Sequence, residues 1–174
     1  MVYRITEGAI AGLQPIAETR LPVSVTAGPE LSAENQAGLL GRIVRAFDDT
    51  YGEGEFIYLQ GVASTVVGDL VIYDTFAKTT KRAVAGDRGP CAVAMSANVA
   101  SQFGWYQISG AAVVRSATAV AAASPYVTAS AGQIDDAVVA TDKIDGARYK
   151  TADGTPSAGL ATLELDRPAL NGNG

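Results

Sequence analysis

Three pairs of carboxylates are the residues in this sequence whose spacing could support chemistry. They are Asp48 with Asp49, Glu53 with Glu55, and Asp135 with Asp136. Two nearby carboxyl groups could act as general acid and base on a glycosidic bond, or could bind calcium. Neighbouring residues on a strand point to opposite faces, so Asp48 and Asp49 would not share a site there. No D-x-[DN]-x-[DN]-G loop surrounds any pair, and we therefore expect solvated acids in turns.

Histidine, the commonest general base and the commonest transition-metal ligand, is missing from the chain. The chain also has a single cysteine, Cys91, and together these facts exclude Ser-His-Asp and Cys-His pairs, zinc sites built from Cys and His, and an internal disulfide. The G-x-x-x-x-G-K-[ST] and G-x-G-x-x-G phosphate loops and the G-x-S-x-G elbow are also absent. The sequence therefore predicts a protein with no catalytic residue, cofactor or metal, and with Cys91 buried in an apolar segment.

The most aromatic stretch and the densest basic stretch each have two interpretations. In FGWYQI (103–108), strand alternation places Phe103 and Trp105 on one face. Trp105 then anchors the core or a subunit contact, or it belongs to a ligand-stacking platform with further aromatic neighbours. A basic group, close together in sequence, comprises Lys78, Lys81, Arg82 and Arg88. It forms either a patch for an acidic partner surface or a solvated rim.

Composition places the chain among mildly acidic globular domains. Its 174 residues include 13 Lys and Arg against 18 Asp and Glu, for a net charge of −5. This balance argues against a basic nucleic-acid surface and a polybasic membrane patch. The most apolar stretch, 117–123, is too short to span a bilayer, and the N-terminus lacks the pattern of a signal peptide. We expect one soluble domain that binds neither nucleic acid nor membrane.

Short β-like runs separated by Gly, Pro, Asp and Asn dominate the chain from residue 41 onward, a rhythm typical of β-barrels and β-sandwiches. The predicted strands are 42–47, 55–62, 69–73, 81–85, 91–95, 105–114, 126–129, 144–149 and 161–166. The alanine-rich stretch 117–123 is interpreted as a further strand, because the nearby Pro125 disfavours a helix. The sequence predicts an all-β body, a β-barrel or β-sandwich, over residues 41–168 and a flexible tail over 169–174.

Residues 1–40 differ from this body, because isolated apolar residues stand between Gly and Pro without a period of 2 or 3.6. We interpret the segment as an extended N-terminal arm that orders against a neighbour, or else as two further strands of the same barrel. A short helix or a turn over 29–40, capped by Ser32, is equally compatible with the sequence. The candidate partner and subunit contacts are Val2, Tyr3, Ile5, Ile10, Leu13, Leu21, Val23 and Trp105.

Four stretches of the body are similar to known proteins along their whole length. They are LGRIVRAFD (40–48), YGEGEFIYLQGVAST (51–65), VAMSANVASQFGWYQISG (93–110) and AGQIDDAV (131–138). These stretches resemble a group of virion structural proteins of tailed bacteriophages, the head decoration or cement proteins. The resemblance covers about residues 40–166 and leaves the first 39 residues unmatched.

The resemblance implies a protein that binds the outside of an assembled phage head and stabilises it without catalysis. Its partner would be the phage major capsid protein, and it would form a homo-oligomer, a trimer or a dimer, to suit capsid axes. It would be made in the host bacterial cytoplasm and would reside on the virion surface. The alternatives are another virion component (tail, fibre base or connector) and a carbohydrate-binding module or hydrolase on a β-scaffold. For a decoration protein with an arm, we expect deletion of residues 2–25 to leave the body folded and to weaken attachment.

Overall fold

The computed structural model describes residues 3–6, 16, 40–98 and 102–171, which form strands and loops without a helix. Eleven strands follow one another along this part of the chain. They are β1 (Arg4–Ile5), β2 (Ile43–Asp48), β3 (Gly52–Gln60), β4 (Leu70–Tyr73), β5 (Thr80–Arg82), β6 (Gly89–Ala94), β7 (Phe103–Arg115), β8 (Tyr126–Val127), β9 (Ile134–Asp135), β10 (Ile144–Tyr149) and β11 (Leu160–Leu170). No described segment forms a helix that could cross a membrane.

Nine of these strands form one antiparallel sheet that curls into a half-barrel, which confirms the predicted all-β fold. The strand order is β1-β2-β3-β7-β11-β6-β4-β5, and β10 pairs with β11. The long strand β7 pairs with β3 along its first half and with β11 along its second, so it joins the two parts of the sheet. A parallel bridge between Gln60 and Thr79 brings the β4–β5 hairpin to the end of β3.

The predicted strands agree with the structure wherever the apolar or alternating pattern is long. Each of the nine predictions overlaps an observed strand, whereas the two-residue strands β1 and β9 were not predicted. The predicted tail at 169–174 starts too early, because Ala169 and Leu170 belong to β11 and pair with Pro90 and Gly89.

The prediction of a strand over 117–123 is wrong, because this segment forms turns. Ala122 has a φ of 69°, a left-handed conformation that ends an extended run, and its N–H donates to the carbonyl of Tyr149. The N–H of Ala123 donates to the carbonyl of Val120 within the same turn. Of the predicted helix or turn over 29–40, only Leu40 lies among the described residues, and it lies in a turn.

Strand β3 is buried on both faces and therefore separates two parts of the core. Phe56 and Tyr58 belong to a cluster on one face, while Ile57 and Leu59 belong to a cluster on the other. We call the first the N-terminal cluster; it contains Tyr3, Ile16, Val44, Ala46, Phe56, Tyr58, Met95, Phe103 and Trp105. Burial of each large apolar side chain contributes about 1.5–3 kcal/mol, so this cluster is a major source of stability.

The first described residues of the predicted arm are part of the body. Arg4 and Ile5 pair with Phe47 and Ala46 of β2, and Tyr3 lies in the N-terminal cluster at 7% exposure. Ile16 is 1% exposed in the same cluster. The predicted boundary at residue 40 therefore does not separate these residues from the sheet.

Candidate functional site

The residues predicted to contact a partner fall into two groups. Val2, Ile10, Leu13, Leu21 and Val23 lie outside the described residues. Tyr3 and Trp105 are buried, and Ile5 is half-buried on β1. Of the eight candidate contacts, the described ones thus stabilise this chain's own fold.

Tyr3 is attached to the body by several contacts. Its hydroxyl donates a 2.9 Å hydrogen bond to the carbonyl of Ala111, and its ring packs edge-on against Phe56 at 4.7 Å between centroids. Burial raises the pKa of Tyr3 to about 12, because the phenolate would lose its hydration there. Because only 7% of Tyr3 is exposed, it can make little contact with a partner.

Trp105 is an internal anchor, which is one of the two roles predicted for it. Its ring lies 5.0 Å from that of Tyr58, and its exposure is 0%. A sugar ring could not stack on a side chain that the sheet covers on all sides. The interpretation of Trp105 as part of a ligand-stacking platform is therefore wrong.

The three pairs of carboxylates do not form one site. Asp48 is buried at 5% exposure, contrary to the prediction of a solvated acid, because its Oδ1 accepts the N–H groups of Thr50 and Tyr51 in the β2–β3 turn. Its neighbour Asp49 is exposed and pairs with Arg4 at 2.7 Å. Groups of three or more His, Cys, Asp and Glu placed to hold a metal do not occur among the described residues.

Asp135 and Asp136 organise a loop that follows β9. Asp135 accepts the N–H of Ala137 at 3.1 Å, and Asp136 accepts the hydroxyl of Thr118 at 2.8 Å. Partial burial raises the pKa of Asp135, and the nearby charge of Asp136 raises it further. The hydrogen bond from Ala137 acts in the opposite direction but is a smaller effect than burial. Hydrogen bonds of this kind fix the loop, so the pair has a structural role.

The basic group predicted from the sequence is divided among three different carboxylates. The pairs, each with its distance, are Lys81–Asp87 at 2.6 Å, Arg82–Asp69 at 2.8 Å and Arg88–Asp142 at 3.8 Å. The fourth member, Lys78, donates from Nζ to the carbonyl of Thr75. These residues therefore do not form a continuous positive patch.

Asp69 is the centre of a buried charge network that the sequence did not indicate. The side chain is fully buried, and its two oxygens bind Arg82 and Arg115 at 2.8 and 2.6 Å. Oδ2 also accepts the N–H of Val66. The three charged residues are 13 and 46 positions apart in sequence, so only the fold brings them together.

A polar cleft of about 400 Å³ opens where β2, β3, β7 and β11 meet. We call it the Arg–Glu cleft; it is lined by Arg45, Glu53, Gly54, Glu55, Ser109, Asp166 and Arg167. Glu55 is its centre, since Arg167 binds one carboxylate oxygen at 2.7 Å and Arg45 the other at 3.5 Å.

The backbone of Arg167 is held in an unfavourable conformation beside this cleft. Its φ is 46°, a left-handed value that costs a side-chain-bearing residue about 1–2 kcal/mol. The register of β10 and β11 shifts nearby, where Gly146 has a φ of 69° and a Cβ there would lie 2.5 Å from the carbonyl of Asp166. This irregularity places the guanidinium of Arg167 over Glu55.

A second cleft, of about 390 Å³, lies between β4, β5 and the start of β6. Tyr73 is the aromatic residue of its lining, and Thr75, Thr80, Lys81 and Arg88 are its main polar neighbours. Burial raises the pKa of Tyr73, and the charge of Arg167 opposes this rise.

Phe76 is the most exposed large apolar side chain among the described residues, at 97%. It forms the tip of the β4–β5 hairpin, and the carboxylate of Asp74 accepts the N–H groups of Phe76 and Ala77 at 2.6 and 2.8 Å. These two hydrogen bonds lower the pKa of Asp74, because they stabilise its charged form. The hairpin is also joined to β3, since the N–H of Gln60 donates to the carbonyl of Lys78.

The remaining large apolar side chains that are exposed among the described residues occur at four other places. They are Ile43 and Phe47 on β2, Val66 and Val67 before β4, and Val120, Val138 and Val139 in two loops. Isolated exposed apolar residues are normal, and Phe76 differs from the others in being almost completely exposed. The exposed side chains of the described residues can thus form apolar contacts and ion pairs.

Neither the protein-family models nor the curated proteins include a match to this chain.

Proposed function

We propose that this chain is a structural protein of a tailed-bacteriophage virion that binds the outer surface of the assembled head and stabilises it, without catalysis. The support from sequence is the resemblance of residues 40–166 to head decoration proteins. Three of its four stretches coincide with β2, β3, the end of β6 and the first half of β7, and the fourth contains β9 of the small second sheet. The partner in this proposal is the phage major capsid protein.

The single observation that carries the proposal is the geometry of Phe76. The turn that bears Phe76 is held by the two hydrogen bonds to Asp74, so a side chain that is already 97% exposed can enter a pocket on a partner without reorganisation of the loop. Phe, like Tyr and Trp, is enriched at protein–protein interfaces relative to the rest of the surface. Phe76 is therefore the residue through which we expect the chain to bind the head.

Stabilisation of the head would follow from mass action. A protein that binds assembled capsid subunits and not free ones adds RT ln(1 + [L]/Kd) at each site, and a closed shell has many sites. The chain needs no catalytic residue for this role; it needs a stable body and a fixed contact surface.

Co-sedimentation with empty expanded heads of the phage that encodes the chain, prepared without it, tests this proposal. We expect the wild type to pellet with heads and to remain in the supernatant with unassembled capsid protein. The variant Phe76→Ser should bind at least about tenfold more weakly, since truncation of such an anchor removes more than 1.4 kcal/mol. Val138→Ser, which alters another exposed apolar residue, is the matched control and should bind like the wild type.

Three results would contradict parts of the proposal. A wild type that stays in the supernatant with intact heads would refute decoration, and detection of the chain in isolated tails would favour a tail component. Equal binding by Phe76→Ser and the wild type would refute only the role assigned to the hairpin, and would leave decoration itself standing.

A further inference from the structure

The outward face of β2 is apolar at positions where a solvent-facing strand is usually polar. Exposed and buried residues alternate along β2, as expected for a strand with one face on the core. Val44 and Ala46 point into the N-terminal cluster, while Ile43 and Phe47 on the opposite face are 40% and 43% exposed. Two of the three outward positions between Ile43 and Phe47 thus carry large apolar side chains.

The third outward position, between the two apolar residues, is Arg45, which borders the Arg–Glu cleft. In the β2–β3 register, Arg45 lies opposite Glu55, and Phe47 lies opposite Glu53. Arg45 is 57% exposed and only 3.5 Å from Glu55, whose other oxygen is already bound by Arg167. Within the described ranges, neither Glu53 nor Asp166 has a cationic group within 4 Å. Both carboxylates can therefore form an ion pair with a residue of a partner.

We propose that this face binds the same face of a second copy of the chain in a two-fold contact. In such a contact each residue pair occurs twice, so Arg45 of each copy can approach Glu53 of the other. Ile43 and Phe47 of both copies would be buried beside these pairs. The result is an interface with an apolar part and two symmetric ion pairs.

The charge pattern is the reason that a second copy fits this face better than an unlike partner. Arg45 and Glu53 lie diagonally on adjacent strands of one surface, so the surface is complementary to itself after a two-fold rotation. A partner surface with a single sign of charge would repel one of the two residues. The contact does not involve Phe76, so this inference is independent of head binding.

Sedimentation velocity of the full chain tests the inference. We expect a monomer–dimer equilibrium with dimers populated at or below about 100 µM, the range of a contact of micromolar affinity. Phe47→Ser and Ile43→Ser should each raise the dissociation constant about tenfold or more. Phe76→Ser is the matched control and should leave it unchanged, while circular dichroism verifies that each variant is folded. A monomeric wild type, or variants that dimerise normally, would overturn the inference.

A charge exchange tests the proposed register directly. Arg45→Glu places two carboxylates against each other across the two-fold axis, and Glu53→Arg places two guanidinium groups there, so each variant alone should be monomeric. In a mixture, both contacts pair opposite charges again, and heterodimers should form. Failure of the mixture to associate would refute the pairing of Arg45 with Glu53, and dimers of either variant alone would do so as well.

Discussion

Tyr3 determines how the N-terminal residues should be interpreted. The sequence left open whether they reach a neighbour or join the sheet, and the structure has Tyr3 in the N-terminal cluster with its hydroxyl bound to Ala111. We expect Tyr3→Phe to lower the free energy of unfolding by about 1 kcal/mol, the value of one hydrogen bond. Tyr3→Ala should lower it by about 3–5 kcal/mol, because it also leaves a cavity.

Urea denaturation measures both values. Arg4→Ala is the control beside it, since the Arg4–Asp49 pair is exposed at both ends and should contribute less than about 1 kcal/mol. A Tyr3→Ala variant as stable as the wild type would place residue 3 outside the fold.

Asp69 is the residue whose charge the fold depends on most. Asp69→Asn keeps the shape of the side chain but leaves Arg82 and Arg115 without their shared counter-ion. Because the two guanidinium groups are partly exposed, we expect a loss of about 3 kcal/mol, at the lower end for a broken buried ion pair. Asp49→Asn, an exposed acid, should change stability by less than about 1 kcal/mol. Equal effects of the two substitutions in denaturation experiments would contradict the account of the network.

At the scale of single residues, the sequence predicted burial that follows from neighbouring residue types. It did not predict contacts between residues that are far apart in sequence. The burial of Cys91 was predicted from its apolar neighbours and is confirmed, and burial raises the pKa of its thiol to about 12. The network around Asp69 and the strained Arg167 could not be predicted, because their partners are separated by tens of residues and meet only through strand pairing. The exposure of Phe76 likewise depends on a turn that its own residue type does not specify.

At the scale of elements, Gly110 allows β7 to pass from β3 to β11. Its φ is 90°, and a Cβ there would lie 2.4 Å from the carbonyl of Glu53 on β3. We expect Gly110→Ala to cost about 3 kcal/mol or more, since backbone strain and a steric clash add together.

Gly86 provides the matched control for Gly110. It has nearly the same φ, 87°, but a Cβ there would meet nothing within 4 Å. Gly86→Ala should therefore cost only the conformational strain of about 1–2 kcal/mol. The difference between the two thermal or urea midpoints isolates the contact of β7 with β3, and identical midpoints would contradict it.

The N-terminal strand changes one expectation that the sequence had suggested. Deletion of residues 2–25 removes both Tyr3 and Ile16 from the N-terminal cluster. We therefore expect the shortened chain to be less stable than the full chain, rather than a folded body that merely lacks an arm. Retention of the wild-type urea midpoint after this deletion would restore the earlier expectation.

The long strands were predictable, as were the short strands β5 and β8, whereas β1 and β9 were not. β3, β7 and β11 contain enough apolar and β-branched residues to specify a strand locally. β1 and β9 have two residues each, so their pairing depends on the strand beside them. The turns over 117–123 follow from tertiary contacts with Tyr149, which no local pattern of alanines encodes.

For the whole molecule, buried phenols and a buried thiol predict a loss of stability in alkali. Burial raises the pKa of Tyr3 and of Tyr106 to about 12 and also raises that of Tyr149. The unfolded state releases the proton of the Cys91 thiol near pH 9 and those of the phenols near pH 10, whereas the folded state retains them. Stability is therefore complete below about pH 9 and decreases as the pH rises toward about 12.

Urea midpoints measured between pH 8 and about pH 12 check this direction. Tyr3→Phe removes one of the groups and should lose less stability over the interval than the wild type does. A stability that rises between pH 10 and 12 would contradict the burial of these phenols.

We propose that the whole molecule binds an assembled phage head from outside. Electron cryo-microscopy of empty expanded heads, with and without added chain, tests this claim most directly. We expect additional density at regularly repeated positions on the outer surface, into which the half-barrel fits with the Phe76 hairpin toward the shell. Heads that remain bare at saturating concentrations of the folded chain would contradict it.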